Sequence, residues 1–357
     1  MNSKKWMKIF FIFTLSGVLL IGGVNYIVDP YQQYRIKTFY PISYDGDKER
    51  YKNAGFSKNF SYDSLILGTS MTENFIISEV EKKLNFKKVI KLCVSGGSAK
   101  EQSITLETAI NHNHNLANVL WGLDTFGFVG NSDSLRFGIG SFPFYLYDSN
   151  KLNDYRYLLS IDTFIDSTKA LLKPYLKQND FIYNQNLMYQ WQHNNEQKFK
   201  LQEVKNDWKN REKFLNYEKG KQTFNDMKKS FNENFLEIIK QNPQIKFKIF
   251  FPPYSILTFK IFEERNQVAD IINFKKYIFD SLIILPNIEI YDFHISNEVT
   301  HNLNNYKDVS HYHQKINTWI LEQIKLKNYL VIKQNIDEHL QNLREQIQNY
   351  DLNKTMQ

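Results

Sequence analysis

The stretch Asp63-Ser-Leu-Ile-Leu-Gly-Thr-Ser70 is a short apolar run that ends in Gly-Thr-Ser. A run of this length between turn residues is typical of a strand buried in a parallel sheet. The next residues, 72–84, carry apolar side chains at helical spacing and therefore predict a helix. A strand, a tight turn and a helix in this order form the unit from which α/β folds are built.

The same unit recurs along the chain. Further strands are predicted at residues 89–94, 118–124, 247–252 and 288–293. Helices are predicted between them, among them residues 99–111 and a last core helix at 314–324. Strands that alternate with helices imply right-handed crossovers, so the chain is predicted to form an α/β domain with a mostly parallel five-stranded sheet.

The N-terminus carries the strongest hydrophobic signal. Residues 9–28 contain no charge, and these 20 residues are long enough to cross a hydrocarbon core of about 30 Å. Lys4, Lys5 and Lys8 precede the run and favour a cytoplasmic N-terminus, which places the rest of the chain across the membrane. We therefore expect a single-pass anchor in a bacterial inner or cytoplasmic membrane and an extracytoplasmic domain. A cleaved signal peptide is the alternative, although no small-x-small site follows the run.

The remaining chain divides around the predicted domain. Residues 63–327 form that domain, and an insertion at about 128–217 separates its third and fourth strands. We expect the insertion to form a helical cap, because a structureless loop of that length is rare. Residues 29–62 are predicted to be a juxtamembrane segment. The polar tail, 328–357, has weak helical spacing, which fits either a solvated helix that frays or a surface or partner helix.

Composition excludes several classes of function. The single cysteine, Cys93, rules out an intrachain disulfide framework and a thiolate zinc site, and we expect it to be buried in the second strand. The net charge of +7 comes from basic residues interleaved with acidic ones, so no nucleic-acid partner is expected. His112 and His114 lack the spacing of a metal site and are expected in a loop. We expect neither a metal nor a cofactor.

Glycines and polar residues follow the predicted strands, where ligands bind in open α/β sheets. They are Ser70, Gly96, Gly97, Asp124, Tyr254, Asp308 and His311. A serine hydroxyl becomes a nucleophile when an imidazole removes its proton, and the imidazole needs an acceptor on its other nitrogen. Asp308 and His311 are three residues apart, close enough for one turn to hold the carboxylate and the ring together. His313 is an alternative base.

Two of these blocks resemble a known family, the SGNH (GDSL-like) hydrolases. Leu67-Gly-Thr-Ser70 is similar to the family's Gly-x-Ser nucleophile block, and Asp308-Val-Ser-His311 is similar to its closing Asp-x-x-His block. Val28-Asp-Pro-Tyr31 and Phe251-Pro-Pro-Tyr-Ser255 fit the membrane-anchored branch, which includes the D-alanine-transfer proteins of teichoic acid biosynthesis and the polysaccharide O-acetyltransferases. The matched blocks extend over residues 63–324, and the insertion has no counterpart.

The resemblance implies a flavodoxin-like three-layer α/β/α fold. It implies that Ser70 is the nucleophile, that His311 and Asp308 activate it, and that Gly96 or Gly97 supplies an oxyanion-hole amide. The implied activity is serine-dependent acyl transfer onto a cell-envelope glycan or polyol, with a membrane-bound partner as the source of the acyl group. A hydrolytic esterase and a non-catalytic glycan-binding or scaffold subunit are the alternatives.

The third block departs from the family pattern. Where the family has Gly-x-Asn, whose amide donates to the oxyanion, this chain has Gly122-Leu-Asp124. An ionised carboxylate cannot donate a hydrogen bond and repels developing negative charge. Asp124 is therefore expected to be protonated, to orient a loop, or to mark specialisation for a positively charged acyl group. We expect it to line the substrate pocket together with Tyr254.

Overall fold

The computed structural model describes residues 3–136, 142–176, 180–195, 198–210 and 223–356. Its strands are β1 (Ser64–Leu67), β2 (Val89–Lys91), β3 (Asn118–Gly122), β4 (Lys246–Phe251) and β5 (Ile288–Asp292). They form one sheet in the order β2-β1-β3-β4-β5, and every neighbouring pair is parallel. The predicted α/β fold with a parallel five-stranded sheet is confirmed.

The helices lie before, between and after the strands. They are α1 (Ser3–Val28), α2 (Glu49–Asn59), α3 (Ser70–Glu73), α4 (Ile77–Leu84), α5 (Ala99–His112), α6 (Tyr155–Leu158), α7 (Ile161–Leu176), α8 (Leu201–Lys209), α9 (Phe224–Phe231), α10 (Glu237–Gln241), α11 (Ile256–Glu264), α12 (Val268–Leu282), α13 (Asn297–Thr300), α14 (Gln314–Leu326), α15 (Ile336–Asn349) and α16 (Leu352–Met356). A π-helical turn, Asn232–Leu236, joins α9 to α10.

The pairing of the parallel strands places their carboxyl ends along one edge of the sheet, which we call the rim. Ser64 pairs with Val89 on one side and with Asn118 on the other, while Phe251 of β4 pairs with Asp292 of β5. All residues of β1 are buried, because side chains on both faces of a central parallel strand are covered. The segments that follow the strands therefore meet at the same edge of the sheet, as the sequence predicts.

The helix predicted at 72–84 is interrupted. It consists of α3 and α4, with residues 74–76 between them. The buried ammonium group of Lys91 donates to the carbonyl oxygens of Glu73 and Phe75, each at 2.7 Å. Asn74 accepts hydrogen bonds through its side chain from the backbone N–H groups of Trp191 and Gln192. These long-range contacts favour a break that helical spacing alone does not reveal.

The N-terminal helix and the segment after it differ in exposure. Within the described ranges, α1 is a helix long and apolar enough to cross a membrane, judged by length and composition, and Asn25 and Val28 are its buried residues. Residues 29–62, predicted to be a juxtamembrane segment, contain α2. Ala54 and Phe56 on this helix are completely buried, and α2 packs against α5. Much of the segment therefore contributes to the body of the domain.

The predicted insertion divides between two locations. Its helices α6 and α7 pack against α1, whereas residues 180–195 run beside the rim of the sheet. The described part of the insertion contains helical segments, as predicted, and they are divided between α1 and the rim of the sheet. The part of the insertion prediction that covers 137–141, 177–179, 196–197 and 211–217 lies outside them.

The polar tail packs on the domain. Leu340, Leu343 and Ile347 are buried on one face of α15, which contacts α11 and α12. The interpretation of this tail as a solvated helix is therefore wrong. Its weak apolar spacing encodes a face that is covered by the chain's own core.

Candidate functional site

A strained turn positions Ser70 at the end of β1. Gly68 adopts a φ of +143°, and a Cβ at this position would lie 2.7 Å from Cγ2 of Thr72. Only glycine fits both the dihedral angle and the space. Thr69 caps α3 by accepting the N–H of Met71, so Ser70 begins the helix with its hydroxyl at the rim.

The structure brings together the three residues of the predicted catalytic group. Ser70 Oγ lies 2.9 Å from His311 Nε2. On the other side of the ring, His311 Nδ1 lies 3.0 Å from Asp308 Oδ1 and 2.9 Å from Asp308 Oδ2. Because a carboxylate accepts only, Nδ1 carries the proton and Nε2 presents its lone pair to the serine hydroxyl. The arrangement can remove the serine proton and generate a nucleophile.

Asp308 is held as a carboxylate acceptor by several donors. The backbone N–H groups of Ser310 and His311 donate to its Oδ1 at 2.9 and 2.8 Å, and Lys307 Nζ donates to its Oδ2 at 2.6 Å. Burial raises the pKa of this carboxyl, but the charges and hydrogen bonds of His311 and Lys307 outweigh burial and hold the pKa well below its ordinary value. Asp308 is therefore an anion at neutral pH.

The two glycines proposed for the oxyanion hole have different roles. The N–H of Gly97 donates to Val94 O at 2.7 Å and so is already used within the turn. Gly96, at a φ of +57°, lines the cavity beside Ser70. Among the residues that the structure describes, we find no acceptor for the N–H of Gly96 or of Ser70. These two amides, rather than that of Gly97, are the candidates for binding an oxyanion.

Asp124 orients a loop, which is one of the three roles expected for it. Its Oδ1 accepts the N–H of Phe126 at 2.9 Å, and its Oδ2 accepts the Thr69 hydroxyl at 3.0 Å. The carboxylate therefore ties the loop after β3 to the turn that carries the serine. Tyr254 lies behind it with a completely buried side chain, and burial together with the Asp124 charge raises the pKa of the phenol well above its usual value.

Two cavities meet at the serine and histidine. The arginine cavity, of about 300 Å³, contains Gly96, Asp124, Tyr254, Phe126, Arg136 and Arg265 in its wall. The polar cavity, of about 560 Å³, contains Asp45, Glu49, Glu73, Lys173, Trp191 and Lys307 in its wall. Ser70 and His311 line both cavities. A molecule in either one can therefore reach the nucleophile.

Trp191 covers the nucleophile and was not predicted from the sequence. Its indole Nε1 donates to Ser70 O at 2.9 Å, and its ring meets the His311 ring edge to face at 5.5 Å. Lys307 Nζ lies 5.1 Å from the centre of the indole ring. Trp191 lies in the insertion, 121 residues from Ser70, and no local motif marks it.

Two carboxyl groups under the polar cavity contact each other. Burial raises the pKa of Glu49 to about 7, and burial together with the neighbouring Glu49 raises the pKa of Glu73 well above its ordinary value. Glu49 also accepts the N–H of Ser95 at 2.7 Å. Two buried carboxyl groups in contact cannot both ionise at low cost, so this pair holds a proton at neutral pH.

A third acidic residue of the polar cavity is neutralised by lysines. Asp45 accepts hydrogen bonds from Lys52 and, at 2.8 Å, from Lys173. Burial raises the pKa of Asp45, but the two ammonium groups outweigh burial and lower the pKa to about 2. This cavity therefore contains ionised and protonated carboxyl groups side by side.

The other candidates from the sequence lie away from these roles. His313 accepts the Lys315 N–H through Nδ1 at the start of α14 and thus caps a helix. His112 ends α5, where its Nδ1 contacts Thr108 O. Cys93 is completely buried just after β2, and burial raises the pKa of its thiol. The buried thiol lacks the exposure and the low pKa of a reactive cysteine.

No family model matches this chain, and no curated protein matches it either. The geometry of the site is therefore what indicates a function.

Proposed function

We propose that this protein is a membrane-anchored acyltransferase of the SGNH type that works through an ester on Ser70. The observation that carries the proposal is the hydrogen-bonded series Ser70 Oγ, His311 and Asp308 at the rim of a parallel sheet. Each side chain comes from a block that resembles the corresponding SGNH block. The strand order β2-β1-β3-β4-β5 is that of flavodoxin-like folds and supports the proposed three-layer arrangement.

The first half of the reaction forms the acyl-enzyme. His311 Nε2 takes the proton of the Ser70 hydroxyl as Oγ attacks the carbonyl carbon of the acyl donor. The N–H groups of Ser70 and Gly96 bind the oxyanion of the tetrahedral intermediate. The intermediate collapses when the leaving group departs with the proton from His311, and the acyl group remains as an ester on Oγ.

The second half transfers the acyl group. A hydroxyl of a cell-envelope glycan or polyol loses its proton to His311 and attacks the ester carbonyl. The ester bond breaks, Ser70 recovers its proton from His311, and the acylated acceptor leaves. The two cavities support transfer, because donor and acceptor can approach the same serine from different sides. Water in the acceptor position would give hydrolysis by the same steps.

The N-terminal helix supports the proposed location. We propose that α1 crosses the cytoplasmic membrane with Lys4, Lys5 and Lys8 on the cytoplasmic side and the domain outside. Activated acyl groups are made in the cytoplasm, so a membrane-bound acyl-transfer partner would deliver the donor.

A serine-directed fluorophosphonate tests the nucleophile. The purified full-length chain is treated with the reagent, and mass spectrometry locates the adduct. We expect modification at Ser70, none in Ser70→Ala, and wild-type behaviour in Ser78→Ala, which changes an exposed serine of α4. A wild-type chain that resists the reagent, or a Ser70→Ala chain that reacts equally, would refute the proposal.

A second measurement separates transfer from hydrolysis. The acyl-enzyme formed from an activated ester, such as a nitrophenyl acyl ester, is mixed with glycerol or a glycan in water. We expect release of the acyl group to accelerate with acceptor concentration and the acylated acceptor to accumulate. Release at the same rate without acceptor, with free acid as the only product, would make the protein an esterase.

A further inference from the structure

Helix α7 has an inverted distribution of polar and apolar residues. Its buried residues are Thr163 and Ser167. Its exposed side chains include Ile161, Ile165, Leu172, Tyr175 and Leu176. At 100° per residue these five side chains fall within a stripe about 100° wide, which also contains the exposed Thr168. The exposed charged side chains of Asp162 and Lys169 lie along one edge of the stripe. A helix that turns an apolar stripe outward, with charged residues at its edge, is suited to lie at a membrane surface.

Contacts with α1 fix the level of this stripe relative to the membrane. A Cβ at Gly22 would lie 3.2 Å from Leu159 Cδ2 and 3.9 Å from Leu158 O, so the corner between α6 and α7 touches α1 at Gly22. Gly22 precedes the end of the apolar run, Val28, by six residues, which is about 9 Å along the helix. If residues 9–28 span the membrane, Leu159 lies inside the hydrocarbon of the leaflet from which α1 emerges.

Polar groups at this junction satisfy one another. Asn25 Nδ2 donates to Leu158 O at 2.8 Å and to Ser160 O at 3.0 Å, and its Oδ1 accepts the Ser167 hydroxyl at 3.0 Å. The side-chain amide of Asn25 and the carbonyls at the end of α6 thus have partners without water. This pairing is what a junction inside a bilayer requires, because an unpaired polar group there finds no water to bind.

We infer that α6 and α7 are embedded at the membrane surface, with the exposed apolar stripe of α7 and Leu159 in contact with lipid acyl chains. The inference rests on the membrane anchoring proposed above but not on the catalytic role of Ser70. Lipid is the occupant that these observations favour, because α6 and α7 pack against α1, whose apolar side chains Leu19, Leu20 and Ile27 are exposed. Tyr155 and Tyr175, both exposed, add aromatic rings of the type found at membrane interfaces.

The arrangement places the candidate active site close to the bilayer. Lys173, which follows Leu172 in α7, donates to Asp45 Oδ2 at 2.8 Å and lines the polar cavity together with Ser70. Helix α7 has 16 residues and is therefore about 24 Å long, so this cavity opens within about one helix length of the membrane surface. A substrate attached to the membrane could then reach the serine without leaving it.

Depth-dependent fluorescence quenching tests the inference on the full-length chain. Cys93 is fully buried, so a thiol introduced at the surface can be labelled selectively. A nitrobenzoxadiazole label is placed in Leu159→Cys and Leu172→Cys. Leu19→Cys on α1 reports anchoring, and Leu326→Cys, an exposed apolar position at the end of α14, is the aqueous control. Each labelled chain is reconstituted without other proteins in phosphatidylcholine–phosphatidylglycerol vesicles that contain doxyl lipids. The doxyl group that quenches the label is on carbon 5 of the acyl chain for the surface positions and on carbon 12 for Leu19→Cys.

We expect emission from the labels at Leu159 and Leu172 to fall by about half relative to vesicles without doxyl, and that from Leu326 to stay constant. Quenching at Leu19 without quenching at Leu159 and Leu172 would overturn the inference while leaving the anchor in place. The stripe would then be free of lipid in the chain reconstituted alone, and so open to an integral membrane protein. No quenching at Leu19 would overturn the anchoring itself, whatever the fluorophosphonate result.

Discussion

Ser70 Oγ and His311 Nε2 lie 2.9 Å apart although 241 residues separate them in the chain. The contact exists because β1 and the loop after β5 end at the same rim of a parallel sheet. The serine is fixed by the turn at Gly68, and the histidine is fixed by its own Asp308. The serine turn and the Asp308–His311 pair are therefore each fixed by local contacts, and the sheet brings them together.

Replacing Asp308 with asparagine should disable the base. In Asp308→Asn the side-chain oxygen still accepts the N–H groups of Ser310 and His311. The neutral amide, however, no longer provides a negatively charged acceptor for the proton on His311 Nδ1. We expect the rate of fluorophosphonate modification to fall by about 10³–10⁴, as happens when a triad histidine loses its correct tautomer. Lys307→Met removes only the ammonium group that donates to the same carboxylate, and it should slow fluorophosphonate modification by less than about tenfold. Equal losses in the two variants would contradict the assignment of Asp308.

Trp191 should influence the nucleophile through its indole N–H. Trp191→Phe keeps a ring near His311 but removes the donor to Ser70 O, so we expect modification to slow by about fivefold, the value of one neutral hydrogen bond. Trp191→Ala should slow it further, because the ring contact with His311 is also lost. Trp319→Phe is the matched control, since Trp319 packs on Phe293. A normal rate in Trp191→Ala would show that the indole only covers the cavity.

The Glu49–Glu73 pair should make stability fall as pH rises. The pKa of Glu49 is about 7 in the folded chain and near 4.5 when unfolded, so the folded state holds a proton that the unfolded state has lost between these values. The contribution of this pair to stability therefore decreases from pH 4.5 to pH 7. His294 and His301, whose pKa values burial lowers, act in the opposite direction as pH rises toward about 6.5, and Asp308 and Asp292 do so below about pH 4.

Thermal unfolding of Glu73→Gln tests this dependence. The amide can donate permanently to Glu49, so we expect a shallower fall in melting temperature across the same pH window. Glu237→Gln, a side chain at the surface, should retain the wild-type slope. A wild-type slope in Glu73→Gln would mean that the two carboxyls do not share a proton.

A buried ion pair should dominate the stability of the region under β5. Lys275 Nζ donates to Asp292 Oδ1 and Oδ2 at 2.7 and 2.9 Å, and both side chains are completely buried. Lys275→Met leaves the Asp292 charge without its main partner and should lower the free energy of unfolding by about 3–5 kcal/mol. Lys276→Met, at the adjacent surface position, should change it by less than about 0.5 kcal/mol. Urea denaturation followed by circular dichroism compares the two, and similar effects would contradict the prediction.

The sequence was sufficient for the parts of the site that are local. The apolar run before Gly68 predicts β1, and Gly-Thr-Ser predicts a turn with the serine at its end. Asp308 and His311 are close in sequence, so their contact needs only one turn of chain. The rule that ligands bind at the carboxyl ends of parallel strands then places these blocks at one rim.

Other contacts of the site could not be read from the sequence. Trp191 reaches Ser70 through a hydrogen bond to a backbone oxygen, a contact that any residue type at position 70 would offer. Glu49 meets Glu73 because α2 folds back onto the domain from a segment that the sequence predicts to be juxtamembrane. The sequence offers Gly96 or Gly97 as the oxyanion donor, and the turn geometry favours Gly96 because the N–H of Gly97 donates to Val94 O.

The sequence by itself determined the α/β class, the parallel sheet, the apolar N-terminal helix, and the blocks that contain Ser70, Asp308 and His311. These features depend on periodicity and on neighbours within a few residues. The tertiary structure decided which amides face the serine, which side chains line the two cavities, and where α7 lies against α1. Those contacts depend on packing between segments that are distant in sequence, some by more than a hundred residues, and packing is selected by shape and by hydrogen bonds that no local pattern records.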